Sequence, residues 1–171
     1  MKHAELSNEL RRIESQPSLL EPALEMLVEQ AGSETRADLL AQSLPRLASR
    51  IGSRILALTG ADQGTWVVLE SVPAAVPQEG LPHDLLADVL DREQTTSQAD
   101  WMAAPLLTRA GSGQLLTAQF ESPPAAAIVS RFVALAAALG IALRQLEQRQ
   151  REQRRVRRLE AILEIAGQWN Q

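Results

Sequence analysis

The fold of this chain is decided by residues 128–146, which read IVSRFVALAAALGIALRQL. Apolar side chains recur there in alternating steps of four and three residues, which places them along one side of an α-helix. They are Ile128, Phe132, Leu135, Leu139, Ala142 and Leu146. We predict a long helix from about Pro124 toward Trp169, which leaves a small globular body and pairs with another helix.

A second apolar seam follows at Val156, Leu159, Leu163 and Ala166. The stretch 147–155 between the two seams has no apolar side chain, and Leu159 comes one residue too early for a strict heptad repeat. We interpret this as a change of phase, like a stammer. About 43 helical residues extend about 64 Å, which is longer than a body of this size is wide. The distal half is therefore predicted to find a partner.

The two seams predict a homodimer through the terminal helices, with parallel pairing favoured and antiparallel pairing left open. The predicted interface consists of Leu135, Leu139, Ala142, Leu146, Val156, Leu159 and Leu163. The alternative is a helix that folds back on its own domain. That alternative suits 128–146 but not the apolar residues beyond the polar stretch.

Helices are also predicted ahead of the sheet. A short amphipathic helix falls within residues 1–17, and a second helix follows and ends at Gly32. Thr35 and Asp38 then have capping-box spacing at the start of a third helix, with Gly52 just beyond its end.

The hydrophobic pattern changes to a β-type pattern after Gly52. A short helix is predicted over 84–92, and the predicted strands are 53–58, 65–71, 95–99, 101–108 and 114–120. Because the connections between strands are short, the sheet should be mainly antiparallel. The predicted fold class is α+β, with an antiparallel sheet flanked by N-terminal helices and a long C-terminal helix.

The composition excludes several classes of protein. There is no Cys, so disulfides and thiolate metal sites are excluded. The first residues lack the apolar segment of a signal peptide, and polar residues and Gly140 interrupt the apolar stretch 125–143. We therefore expect a cytoplasmic protein without a membrane partner.

Seven arginines and two glutamates are concentrated in residues 144–158, although the whole chain has a net charge of −4. Such a cluster can bind nucleic acid. Here the arginines alternate with Gln and Glu, fall on several helix faces and lack neighbouring aromatic residues. We interpret them as a solvated helix surface, and we predict no nucleic-acid partner.

No arrangement of residues predicts catalysis. His83 lies beside Asp84 and could act as a base, but a role in capping the short helix is favoured. The sequence has no phosphate-binding loop with its lysine, no HExxH motif and no carboxylate cluster. We predict no catalytic residue, no metal site, no cofactor and no enzymatic activity.

The arrangement resembles a GAF domain over roughly residues 24–146. The stretches that carry the resemblance are Leu24–Ala31, Ala37–Ala48, Ile51–Leu58, Ala104-Pro-Leu-Leu107 and Phe132–Leu143. The implied organisation is an N-terminal amphipathic helix in 1–17, a GAF-like domain in 18–146 and a coiled-coil or signalling-helix linker in 147–171. Leu159–Ala166 also resembles the opening helix of a further module, so we expect this chain to be the N-terminal part of a larger regulator.

The family's cyclic-nucleotide signature and its Cys-linked cofactors are absent from the sequence. The resemblance therefore implies a sensory or regulatory module with an unidentified small-molecule ligand, in signal transduction such as transcription regulation or two-component signalling. Family geometry places the pocket between the sheet and the helix at 84–92. The candidate lining residues are Trp66, His83, Leu86, Trp101 and Arg109, although both Trp residues also fit a core or dimer role. The alternative function is a purely structural dimerisation module without a ligand.

Overall fold

The computed structural model describes residues 31–74, 76–106 and 113–169, without the side chains of Gln78 and of residues 166–169. The predicted helix in 1–17, most of the second helix and Arg109 lie outside these ranges. Ala31 and Gly32 are helical, in agreement with a helix that ends there.

Helix α1 (Arg36–Ile51) begins and ends as the sequence predicts. The Asp38 amide donates to Thr35 Oγ1 over 3.1 Å, and the Thr35 amide donates to Asp38 Oδ2 over 3.2 Å, which forms the capping box. Gly52 follows the helix with φ 65°, a left-handed conformation that glycine adopts without strain. The buried residues of α1, such as Leu40, Leu44 and Leu47, pack in one cluster with strand residues.

Five antiparallel strands form one sheet in the order β2-β1-β5-β4-β3, which confirms the predicted α+β class. The strands are β1 (Ile55–Asp62), β2 (Thr65–Val72), β3 (Thr96–Gln98), β4 (Trp101–Pro105) and β5 (Gln114–Gln119). A 3₁₀ turn (Gln78–Gly80) and helix α2 (His83–Arg92) connect β2 to β3.

The first hairpin is tighter than predicted. The predicted strands 53–58 and 65–71 leave residues 59–64 for the turn, but β1 continues to Asp62 and the turn consists only of Gln63 and Gly64. Both turn residues have positive φ, as a two-residue hairpin turn of the primed type requires. The polar residues at the end of β1 are therefore paired strand residues.

The two faces of the sheet are covered by different helices. Residues such as Leu56, Leu58 and Leu116 pack against α1 and against helix α3 (Ala126–Trp169) in the larger cluster. The alternate residues, including Ala103 and Leu115, pack against α2 in a smaller cluster. Because successive side chains of a strand point to opposite faces, β2, β4 and β5 each supply residues to both clusters.

Helix α3 confirms the predicted long helix and corrects its predicted interface. Leu135, Leu139, Ala142 and Leu146 are all at most 3% exposed, since they pack inside the chain's own core. This half of α3 folds back on its domain and cannot present these residues to a partner. The phase change is also explained, because the proximal seam faces the sheet and the distal seam does not.

Helix α3 is long and apolar enough to cross a membrane by length and composition alone. Of this apolar stretch, 44% is buried inside the chain. Packing against the sheet accounts for the buried part of this stretch, which includes Phe132, Leu139 and Leu143.

Candidate functional site

The face of the sheet beneath α2 brings together three of the five predicted pocket residues. Leu86 is fully buried at its centre, and Leu81, Leu85 and Val89 surround it. Trp66 on β2 and Trp101 on β4 are half-buried and pack against the same cluster. The two indole rings therefore lie at the margin of this cluster.

His83 has a different place from the one predicted. It is the first residue of α2, its side chain is exposed, and its amide donates to the Leu81 carbonyl over 3.0 Å. The N-cap position is occupied by Pro82, which provides no side-chain hydrogen bond. The prediction that His83 caps the helix is therefore wrong.

Two threonines that the sequence did not single out form the polar part of this face. The Thr59 and Thr117 side chains are fully buried, and their hydroxyl oxygens are 3.1 Å apart. Thr59 Oγ1 also lies 3.4 Å from the Leu115 carbonyl oxygen, to which it donates. The sequence signal for them was their position, since each threonine directly follows a leucine of the opposite face. The two hydroxyls therefore satisfy each other inside the sheet.

A second polar cluster lies where α3 leaves the globular body. Arg36 Nη2 donates to Gln114 Oε1 over 2.7 Å, and Arg36 Nη1 is 3.7 Å from Glu147 Oε1. Burial lowers the pKa of the Arg36 guanidinium, and the neighbouring Glu147 carboxylate opposes that shift. The guanidinium thus joins the start of α1, the start of β5 and the middle of α3.

The next turn of α3 extends the same junction. Arg149 donates to the Ser33 carbonyl oxygen, and Gln150 Nε2 donates to the Glu34 carbonyl oxygen over 2.8 Å. Beyond Gln150, residues 151–165 are all exposed. We call the contacts of Arg36, Glu147, Arg149 and Gln150 the junction.

Two cavities outlined by described residues lie away from the predicted pocket. One of about 530 Å³ lies between residues 31–35 and Arg149, Arg154 and Arg157 of α3. Another, of about 540 Å³, lies between the end of α1 and the start of α3. Within residues 31–74, 76–106 and 113–169, no group of His, Asp or Glu side chains is arranged to hold a metal ion.

Comparison with solved structures identifies domains of the same architecture. The GAF domain of an Acinetobacter phosphoenolpyruvate-protein phosphotransferase aligns with a TM-score of 0.56 at 16% identity, over 75% of this chain and 94% of that domain. The GAF domain of a phosphoenolpyruvate-protein phosphotransferase from Coxiella burnetii aligns with a TM-score of 0.57 at 14% identity, over 77% of this chain and 96% of that domain. A GAF domain/HD domain protein from Geobacter sulfurreducens aligns with a TM-score of 0.51 at 16% identity, over 70% of this chain and 98% of that chain.

No protein-family model and no curated protein sequence matches the chain. The structural similarity nevertheless covers most of the chain and nearly all of each aligned domain. This chain therefore has the fold of a GAF domain, as its sequence resemblance predicted.

Proposed function

We propose that this chain is a non-catalytic sensory or regulatory domain, which forms a homodimer and passes a signal through α3 to a downstream output domain in the cytoplasm. The observation that carries the proposal is the exposure of the distal seam. Val156 and Leu159 are each 52% exposed, and Leu163 is 71% exposed. Exposed apolar side chains repeated along one helix are typical of a protein–protein contact.

The junction provides a route from the sheet to the distal helix. Leu115 and Thr117 of β5 lie beneath α2, and Gln114 at the start of the same strand accepts the hydrogen bond from Arg36. Arg36 also pairs with Glu147 of α3. A ligand that displaces the start of β5 would change these contacts at the point where α3 leaves the body. The two arrangements would form a two-state element of the kind that ligands shift.

The chemistry of the α2-covered face indicates the class of ligand. Its described lining is apolar, with two indole rings at the margin and one hydroxyl pair. Such a surface suits an uncharged or weakly polar small molecule with a planar ring, which can stack on Trp66 or Trp101. In this proposal, His83 at the start of α2 contacts the exposed side of that molecule, because its side chain is exposed.

The alternative is a structural dimerisation module without a ligand. The packing beneath α2 favours it, since Leu86, Val89 and Leu115 fill the centre of that face. A thermal-shift screen of small metabolites, followed by Trp fluorescence of each hit, separates the two functions. A saturable rise in melting temperature, together with a change in Trp fluorescence, supports a sensor. The absence of any hit at saturating concentrations supports the structural module.

The dimer itself is tested by charging the distal seam. A variant with Leu159→Lys and Leu163→Lys should remain folded but lose self-association, because two charges replace exposed apolar side chains. Sedimentation equilibrium gives the mass, and Leu69→Lys on β2 is the matched control because Leu69 is also exposed, at 45%. An unchanged association constant in the double variant would contradict pairing through the distal helix.

A further inference from the structure

The side of α3 that packs on the sheet becomes cationic where the helix leaves the globular body. Leu143 and Leu146 on this side are buried in the larger cluster. Because an α-helix turns by about 100° per residue, Arg149, Arg154 and Arg157 continue the same side within an arc of about 140°. Guanidinium groups therefore follow the buried leucines along one side of the helix.

The cavity of about 530 Å³ between α3 and residues 31–35 brings these three arginines together. Gln150 and Gln153 add amide groups to its lining, and Glu34 is the single carboxylate among the described lining residues. The volume is within the range of about 300–1,000 Å³ that small-molecule sites have. We call this cavity the arginine cleft. A concave surface in which one sign of charge predominates concentrates ligands of the opposite sign.

The arginines of the cleft have different roles. Arg149 is half-buried and donates to the Ser33 carbonyl oxygen, which connects the two walls of the cleft. Arg154 and Arg157 are exposed, and within residues 31–74, 76–106 and 113–169 neither side chain has a hydrogen bond or ion-pair partner. A guanidinium keeps its charge at physiological pH and has five N–H donors. Two such groups are therefore available to a ligand in the cleft.

Most other arginines of α3 lie on the far side of the helix. Arg144, Arg151 and Arg155 fall about 130–170° from the centre of the arc that faces the cleft. Arg151 is paired with Glu147 over 3.6 Å. The solvated surface predicted from the sequence thus describes this far side, whereas the side with Arg154 and Arg157 lines a cavity.

The cleft is also separate from the predicted dimer contact. The residues of the distal seam fall about 90° or more from the centre of the cleft-facing arc. The cleft is equally distinct from the face beneath α2, since no residue of the smaller cluster lines it. A ligand can therefore occupy the cleft whether or not the distal helix pairs with a second copy.

The arrangement of charge defines the class of ligand. Residues three positions apart are neighbours on a helix surface, so Arg154 and Arg157 can bind two adjacent anionic groups. Guanidinium groups bind phosphate oxygens through paired hydrogen bonds. We propose that the arginine cleft binds a phosphorylated small molecule through a pyrophosphate group, with Arg154 and Arg157 on its two phosphates. This site goes beyond the regulatory function proposed above and does not depend on the dimer.

The remainder of the lining favours a small molecule over a nucleic acid. The described lining contains no aromatic side chain on which a base could stack, as single-stranded nucleic acids require for tight binding. The ligand would join residues 31–35 to α3 beside the hydrogen bonds of Arg149 and Gln150. Occupation of the cleft would thus strengthen the junction.

Isothermal titration of the full chain with inorganic pyrophosphate tests the site. The parent chain should bind one pyrophosphate saturably, and Arg154→Gln/Arg157→Gln should weaken binding about tenfold or more, because two charged donors are lost. Arg144→Gln/Arg155→Gln removes the same charge from the far side and should change the affinity by less than about threefold. No saturable binding to the parent chain, or equal losses in the two double variants, overturns the proposal.

Glu34 provides a test in the opposite direction. Glu34→Gln removes the carboxylate from the cleft and should tighten pyrophosphate binding about threefold, since a repulsive charge is lost. The exposed position of Glu34 makes a folded variant the expected result, which circular dichroism checks. An unchanged or weaker affinity in the folded variant overturns the cleft as the site of binding.

Two further ligands identify the source of the phosphate groups. ATP should bind within about threefold of inorganic tripolyphosphate, because the described lining offers its base no stacking surface. A single-stranded oligonucleotide that binds more tightly than tripolyphosphate, and loses affinity equally in the two double variants, overturns the proposal in favour of nucleic acid. Leu159→Lys/Leu163→Lys should still bind pyrophosphate, so a failure of the dimer and a failure of this site are distinguishable.

Discussion

Thr59 and Thr117 are the buried polar side chains of a face that is otherwise apolar. Their hydroxyls pair with each other across β1 and β5, and Thr59 also donates to a backbone carbonyl. A buried hydroxyl costs free energy when it loses its partner but little when both partners are removed together. The pair therefore contributes to stability as a unit, and it is a specific polar contact in the region proposed to bind a ligand.

Removing one hydroxyl of this pair should cost more than removing both. Thr59→Val removes the hydroxyl paired with Thr117 and should lower the free energy of unfolding by about 1–3 kcal/mol. The double variant Thr59→Val/Thr117→Val should be closer to the parent chain than Thr59→Val is. Urea denaturation gives the free energy of unfolding of the parent chain, of each single variant and of the double variant. If the losses of the single variants add up to that of the double variant, the two hydroxyls do not interact.

Arg36 is the residue at which three elements meet. Its bond to Gln114 is short and half-buried, unlike the exposed pair of Arg92 with Asp88 in α2. A double-mutant cycle of Arg36→Met and Gln114→Ala should give a coupling energy of about 1 kcal/mol. The cycle of Arg92→Met and Asp88→Ala should give about 0.5 kcal/mol or less, since exposed i,i+4 pairs are weak. Equal coupling in the two cycles would remove the special role assigned to Arg36.

Among the elements, α3 shows best what sequence can and cannot predict. Its existence and length follow from helical periodicity, which is strong over so many residues. The surfaces against which α3 packs cannot be predicted from this periodicity. The same a/d spacing describes a helix packed on a sheet and a helix packed on a second helix. Only the position of the sheet shows that Leu135 and Leu146 face inward while Val133 and Ile141 face outward.

The two halves of α3 should therefore respond differently to the same substitution. Leu146→Ala should lower the free energy of unfolding by about 2–5 kcal/mol through loss of core packing. Leu159→Ala should have a smaller effect that grows with protein concentration, because it acts through association. Thermal denaturation at two concentrations a hundredfold apart separates the two cases. A large, concentration-independent loss in Leu159→Ala would contradict the assignment.

At the scale of the whole molecule, the order of elements was predictable and the contacts between distant segments were not. Capping at Thr35, strand alternation and the long terminal helix lead to the α+β architecture. The prediction that Trp66, Leu86 and Trp101 line a ligand pocket relied on resemblance and stays a prediction, although Leu86 belongs to one apolar cluster and both Trp residues pack against it. The junction has no sequence signal, since Arg36 and Gln114 are 78 positions apart and neither belongs to a local motif.

The central proposal is that the proximal half of α3 packs within its own chain while the distal half pairs with a second copy. The most direct test is the mass of the parent chain by sedimentation equilibrium over a wide range of concentrations. The expected result is a reversible dimer, with twice the 18.7 kDa of one chain. A mass of 18.7 kDa at every concentration, in a folded protein, would contradict the claim.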